Sequence, residues 1–192
     1  MGFWDAFLGR DKPVGPRLDG LFGLPSAALT LEAAVGFTPS GDGAVCFSSV
    51  EGAAFARARA EVLALLGVDE TSGPSPVEFK HDAYGYSWVV VHRSADDLAG
   101  LVGDLHAVNT TLEDNGFGAQ LLCSLVAFHD QELRPLALVY LYKRGTFYPF
   151  APLSGNKRDN PLELQIRALI GDDVAVESDL TRWFPVWDAP GF

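Results

Sequence analysis

Residues 121–150, LLCSLVAFHDQELRPLALVYLYKRGTFYPF, restrict the fold more than any other stretch of the chain. Read with period two, Leu121, Cys123, Leu125 and Ala127 share one face, while Leu122, Ser124, Val126 and Phe128 share the other. Both faces are largely apolar, which describes a central strand covered on both sides. His129 through Pro135 break the run, and Leu136 to Tyr142 resume it, so the two runs pair antiparallel. Arg144-Gly145 then turns the chain into Thr146–Phe150, where Pro149 lacks a ladder donor and belongs at the edge of a sheet.

Elsewhere the patterns alternate between strand and helix. Val35–Thr38 and Ala44–Phe47, separated by PSGDG, predict a β-hairpin. Capping-box spacing at Ser48–Glu51 precedes a helix with Phe55, Ala58, Val62, Leu65 and Leu66 on its apolar face, stopping at Gly67. After a Gly/Pro/Ser loop at 72–76, Val77–His81 and Tyr86–Arg93 pair across Asp82–Gly85, with His81 opposite Tyr86, Phe79 opposite Trp88 and Val77 opposite Val90. His81 and His92 then lie about 20 Å apart along the sheet, too far to share a metal. Ser94–Asp97 starts a long helix whose face carries Leu98, Leu101, Val102, Leu105, Val108 and Leu112. Asn109 falls among them, as a structural bridge or as one wall of a small polar pocket. Asn160 as N-cap and Pro161 at the first helical position open a last helix, and an aromatic tail with Trp183, Phe184, Trp187 and Phe192 packs back on the body. The expected fold is α+β: residues 1–16 form a short amphipathic helix and linker, and residues 17–192 form a single domain. Its sheet is largely antiparallel with helices packed mainly on one face, an order compatible with a secretion-chaperone-like arrangement.

Charge narrows the function. A net charge of −11 opposes contact with nucleic acid or an anionic bilayer except through a local basic patch, so no nucleic-acid partner is expected. Cys46 and Cys123 sit in separate apolar runs and read as buried free thiols. No nucleophile elbow, P-loop, zinc-protease motif or dinucleotide fingerprint occurs, and the four histidines are scattered. The chain is therefore expected to have no catalytic residues, metal or cofactor. Phe3, Trp4, Phe7 and Leu8 share one side of the N-terminal helix and are candidates for contact with the domain's own sheet, a partner or a membrane. With neither a signal peptide nor a spanning segment in view, a cytoplasmic location is expected, with peripheral contact at the inner face of the membrane. Lys143, Arg144, Lys157 and Arg158, interleaved with Phe147 and Tyr148, form a candidate recognition surface for an acidic helix, a phosphate or a carboxylate. Such a surface predicts that charge reversal at Lys143 and Arg144 abolishes partner binding without lowering thermal stability.

The segments MGFWDAFLGR, LFGLPSAALTLEAAVGF, DLAGLVGDLHAVNTTLEDNGFG, LVYLYKRGTFYPFAPL and RWFPVWDAPG together resemble the PspA-associated protein B family, with YLYKRGTFYPFAP the most specific. The resemblance spans nearly the whole chain and carries over no catalytic residue. It implies association with phage-shock protein A, a coiled-coil, membrane-remodelling stress protein, and hence a role as adaptor or regulator in envelope stress. Reading the residues alone leaves two alternatives open: a secretion-chaperone-like peptide holder, and a sensor of a small anion using Arg144 or Arg158.

Overall fold

The computed structural model describes residues 18–48, 52–67, 76–187 and 189. Phe3, Trp4, Phe7 and Leu8, the capping residues Ser49 to Glu51, most of loop 72–76 and Phe192 lie outside the described residues. A 3-10 turn at Asp19–Gly23 leads into α1 (Leu24–Val35), β1 (Thr38–Ser48), α2 (Ala53–Leu65), β2 (Val77–His81), β3 (Tyr86–His92) and α3 (Leu98–Leu112). Then follow β4 (Leu121–His129), β5 (Pro135–Leu141), β6 (Thr146–Phe150), the two-residue β7 (Pro152–Leu153) and β8 (Lys157–Arg158), and α4 (Asn160–Ile170). Six strands form one antiparallel sheet in the order β2-β3-β1-β4-β5-β6. The expected meander is present, with every residue from Leu121 to Phe128 buried and the Pro149 strand at the edge.

Helices cover one face. The stripe Leu101, Val102, Leu105, Val108 and Leu112 of α3 packs in one cluster with Val45, Phe47, Val89, Val91, Val126 and Phe128 of the sheet. Asp97 caps α3 by accepting from the Gly100 N–H at 3.0 Å. In α4 the cap is Asp159, which accepts from Leu162 N–H at 3.1 Å, one residue before the expected Asn160. A carboxylate is favoured there because its charge meets the positive end of the helix dipole. The α2 helix buries Ala58 and Val62, whereas Leu65, its last residue, projects to solvent.

Three local expectations are corrected. The PSGDG segment is no hairpin turn; it is a bulge within the continuous strand β1, where Ser40, Gly41 and Asp42 stand opposite Ala127 alone. Gly41 has φ +92°, its carbonyl accepts from Arg93 N–H at 2.9 Å, and a β-carbon there would collide with the Arg93 carbonyl oxygen. The β2–β3 register is shifted by one, with Val77 opposite Val91, Phe79 opposite Val89 and His81 opposite Ser87. The cause is a three-residue loop: Asp82 N–H donates to Tyr86 O at 3.0 Å, and Gly85 takes the left-handed position with φ +86°. In β4, a one-residue bulge between the pairs Cys46/Cys123 and Phe47/Leu121 interrupts the strict alternation. Leu121 thus joins the helix-side core, while Leu122 joins Cys123 and Leu125 on the other face.

Gly41→Ala tests the bulge. With positive φ and a backbone collision combined, the substitution is expected to cost about 2–3 kcal/mol in chemical denaturation, against a gain of about 0.5–1 kcal/mol for Gly103→Ala inside α3, whose β-carbon meets nothing. Equal stabilities would contradict the bulge geometry.

Candidate functional site

The other face of the sheet is apolar too. Ala44, Cys46, Trp88, Val90, Leu125, Val139, Leu141, Tyr148 and Phe150 form a second buried cluster, which the C-terminal strap, residues 174–187, covers in part with Trp183 and Val186. The strap rounds the sheet at its edge strand, where Phe147 N–H donates to Ala175 O at 2.8 Å and Glu177 N–H to Phe147 O at 2.7 Å. Its irregular backbone leaves carbonyls that need donors. Trp183 Nε1 donates to Glu177 O at 3.0 Å, and the Tyr148 hydroxyl donates to Phe184 O at 2.8 Å. Trp183 stacks on Tyr148 with centroids 6.1 Å apart, and Trp187 meets Phe150 edge-on at 5.0 Å.

Beside strap residues 184–187, a cavity of about 480 Å³ lies between the strap, the β2–β3 turn and the strands beneath. Phe184 and Trp187 of the strap form one wall, and Tyr84, Tyr86 and Trp88 form the other, with Cys46 and Cys123 reached at the floor. Asp82 also lines the cavity. Its carboxylate accepts from Tyr84 N–H, Tyr86 N–H and Trp88 Nε1, each at 2.9 Å, so one residue shapes the turn, orients an indole and supplies negative charge. Tyr84 is 57% exposed at the rim. Burial, then the Cys46 thiol and the Asp82 carboxylate, push the Tyr86 hydroxyl up from its ordinary value. Burial, then Cys123 and Asp82, push the Cys46 thiol well up, so Cys46 is protonated at neutral pH. Rings beside a carboxylate suit an organic cation with an apolar stem.

A second, smaller cavity of about 350 Å³ lies beside His92 and Arg93. His92 Nδ1 is 2.6 Å from Asp42, His92 Nε2 is 3.7 Å from Glu78, and Arg93 bonds Asp104 at 2.5 Å and Asp97 at 2.8 Å. These pairs tie the β1 bulge to the start of α3. Among the described residues, no group of three or more His, Cys, Asp or Glu is placed to hold a metal.

Of the six residues of the expected basic-aromatic surface, Arg144, Phe147, Tyr148 and Arg158 hold the strap. Phe147 and Tyr148 are buried, each 1% exposed. Arg144 pairs with Glu177, whose carboxylate is buried and also accepts from Thr146 at 3.0 Å. Arg158 pairs with buried Glu163 at 2.9 Å, donates to Trp183 O at 2.5 Å and lies 5.1 Å from the centre of the Phe150 ring. Lys143 donates to Ala119 O at 3.0 Å, and Lys157 is exposed. The two arginines stand at opposite ends of β6, Arg144 in the turn before it and Arg158 on β8 beyond it. Asn109 bridges, donating to Leu105 O and Ser124 Oγ, each at 2.8 Å; its carbonyl oxygen has no partner among the described residues. Sequence reasoning passed over Asp82, Tyr84, Trp88 and Trp187 as site residues. Their signal was the ring-dense turn DAYGYSW and a second aromatic cluster in the tail.

Charge reversal at Arg144 should therefore lower stability. Burial pushes the Glu177 carboxyl up, but bonds from Asp179 N–H, Arg144 and Thr146 outweigh it and hold the group below its ordinary 4.5. A depressed carboxyl contributes stability above the ordinary value and loses it as pH falls through the folded value. Arg144→Met, which strands Glu177, is expected to cost about 3 kcal/mol near neutral pH, a loss that shrinks under acid conditions where Glu177 takes up a proton. Denaturant titrations across pH check this; a pH-independent or negligible loss would contradict the pairing.

The family model described as PspA associated protein B matches residues 1–191. No curated protein and no solved structure gives a significant match. Since the family match spans nearly the entire sequence, the chain belongs to the PspA associated protein B family.

Proposed function

We propose that the protein is a non-enzymatic adaptor in the envelope stress response that binds phage-shock protein A, and that the aromatic pocket takes a basic side chain of the partner. The observation that carries this reading is a cavity with five aromatic side chains and the Asp82 carboxylate, on the face of the sheet opposite the helices. The net charge of −11 favours approach of a basic segment, and the family's name, PspA associated protein B, supports phage-shock protein A as the partner to test. The N-terminal segment with Phe3, Trp4, Phe7 and Leu8 provides a second contact, to partner or bilayer, at the cytoplasmic side of the membrane. Among the described residues no helix is long and apolar enough to cross a membrane.

A peptide-holding role is the second reading, favoured by β2, which ends the strand order of the sheet beside the pocket. An extended segment added there would place alternate side chains toward the cavity. Sensing of an anion through Arg144 or Arg158 has less support, because each guanidinium already meets a buried glutamate.

Co-purification of phage-shock protein A with the full chain, with Tyr84→Ala and with a chain lacking residues 1–10, each with and without liposomes, tests the proposal. Truncating Tyr84 is expected to weaken binding roughly tenfold with unchanged melting, as for a hot-spot ring worth about 1.4 kcal/mol. Loss of residues 1–10 is expected to remove any gain from liposomes. Unaltered binding by Tyr84→Ala and by Trp187→Ala would sink the pocket as the contact.

A further inference from the structure

Cys46 and Cys123 are direct partners across the β1–β4 ladder. Residues so opposed in an antiparallel pair have Cα atoms about 4.5 or 5.5 Å apart, and both values lie within the roughly 4.4–6.8 Å that a disulfide spans. Both side chains lie on the face away from the helices, in the same buried cluster. Both thiols are free and buried, and Cys123 is among the groups that push the Cys46 thiol up. They also line the floor of the aromatic pocket, which gives a small solute a route to sulfurs that are otherwise covered.

We propose that Cys46 and Cys123 form a modification site, closing to an intramolecular disulfide when a small dialkyl disulfide enters the pocket. One protein sulfur, as its thiolate, attacks the oxidant, forming a mixed disulfide and expelling one small thiol. The second protein thiol gives up its proton and attacks the protein sulfur of that mixed disulfide, expelling the other small thiol. Two protein S–H groups are oxidised, one S–S bond is reduced, and the two protons end on the two small thiols. The groups facing Cys46 are Cys123 on β4, Asp82 in the turn and Tyr86 on β3; Tyr148 on β6 lies beside both sulfurs. Because its surroundings disfavour the thiolate, reaction is slow near neutrality and quickens with pH. The bond would staple the two central strands and change the pocket floor. The site stands whether or not a partner uses the pocket.

The test exposes the full chain to bis(2-hydroxyethyl) disulfide at neutral and mildly alkaline pH, with circular dichroism to confirm that it stays folded. Intact mass and thiol titration are expected to show both thiols lost together, a mass lower by two hydrogen atoms, faster reaction at the higher pH, and recovery with dithiothreitol. In Cys123→Ser the reaction is expected to stop at a mixed adduct on Cys46; should that variant not fold, the wild-type mass decides alone. Two thiols that stay titratable in the folded protein, a persistent adduct on one cysteine of the wild type, or disulfide-linked dimers would each overturn the proposal.

Discussion

A sheet with two apolar faces needs two covers, and among the described residues the helices pack on only one of them. The cover described on the second face is the strap, short and regular only in a 3-10 turn at Leu180–Arg182, so it gains its area from rings. Trp183 and Phe184 are nearly buried, and each large ring so placed contributes about 2–3 kcal/mol. Irregular backbone over an apolar surface also leaves polar groups to satisfy. Arg158, the Trp183 indole and the Tyr148 hydroxyl each supply a donor to a strap carbonyl. The ion pairs of Arg144 with Glu177 and Arg158 with Glu163 stand at the two ends of the edge strand and hold the crossing. Buried pairs of this kind add less to stability than to registration, because desolvation offsets much of their attraction.

The pocket lies between the strap and the hairpin turn. Its floor is central sheet, its walls are strap and hairpin turn, and Asp82 links the backbone of that turn to the indole of Trp88. The two bulges contribute indirectly. The bulge in β1 anchors the strand beside α3, and the bulge in β4 sends Leu122 to the same face as Cys123. The strap and the hairpin turn thus bring five rings and a carboxylate together on the face of the sheet opposite the helices.

Much of the scaffold was legible because its signals are local. Period-two runs, Pro149 at an edge, the Asp97 cap and the 3.6-residue stripe of α3 each depend on neighbours in the chain. The errors have one physical origin, partners remote in sequence. PSGDG looks like a turn until Arg93 docks on Gly41, and Arg144 and Arg158 look like one surface until Glu177 and Glu163 pair with them at the two ends of β6. Cys46 and Cys123 read as unrelated thiols because only the β1–β4 register places them side by side. The pocket combines the hairpin turn with the C-terminal tail, a juxtaposition that no spacing rule contains.

Hydrogen–deuterium exchange of the full chain with and without phage-shock protein A reads both walls of the pocket in one experiment. Slowed exchange is expected in residues 82–88 and 183–187, the two walls, with α1 and α4 unchanged. Protection confined to those helices, with both walls exchanging as in the free protein, would contradict the pocket as the contact.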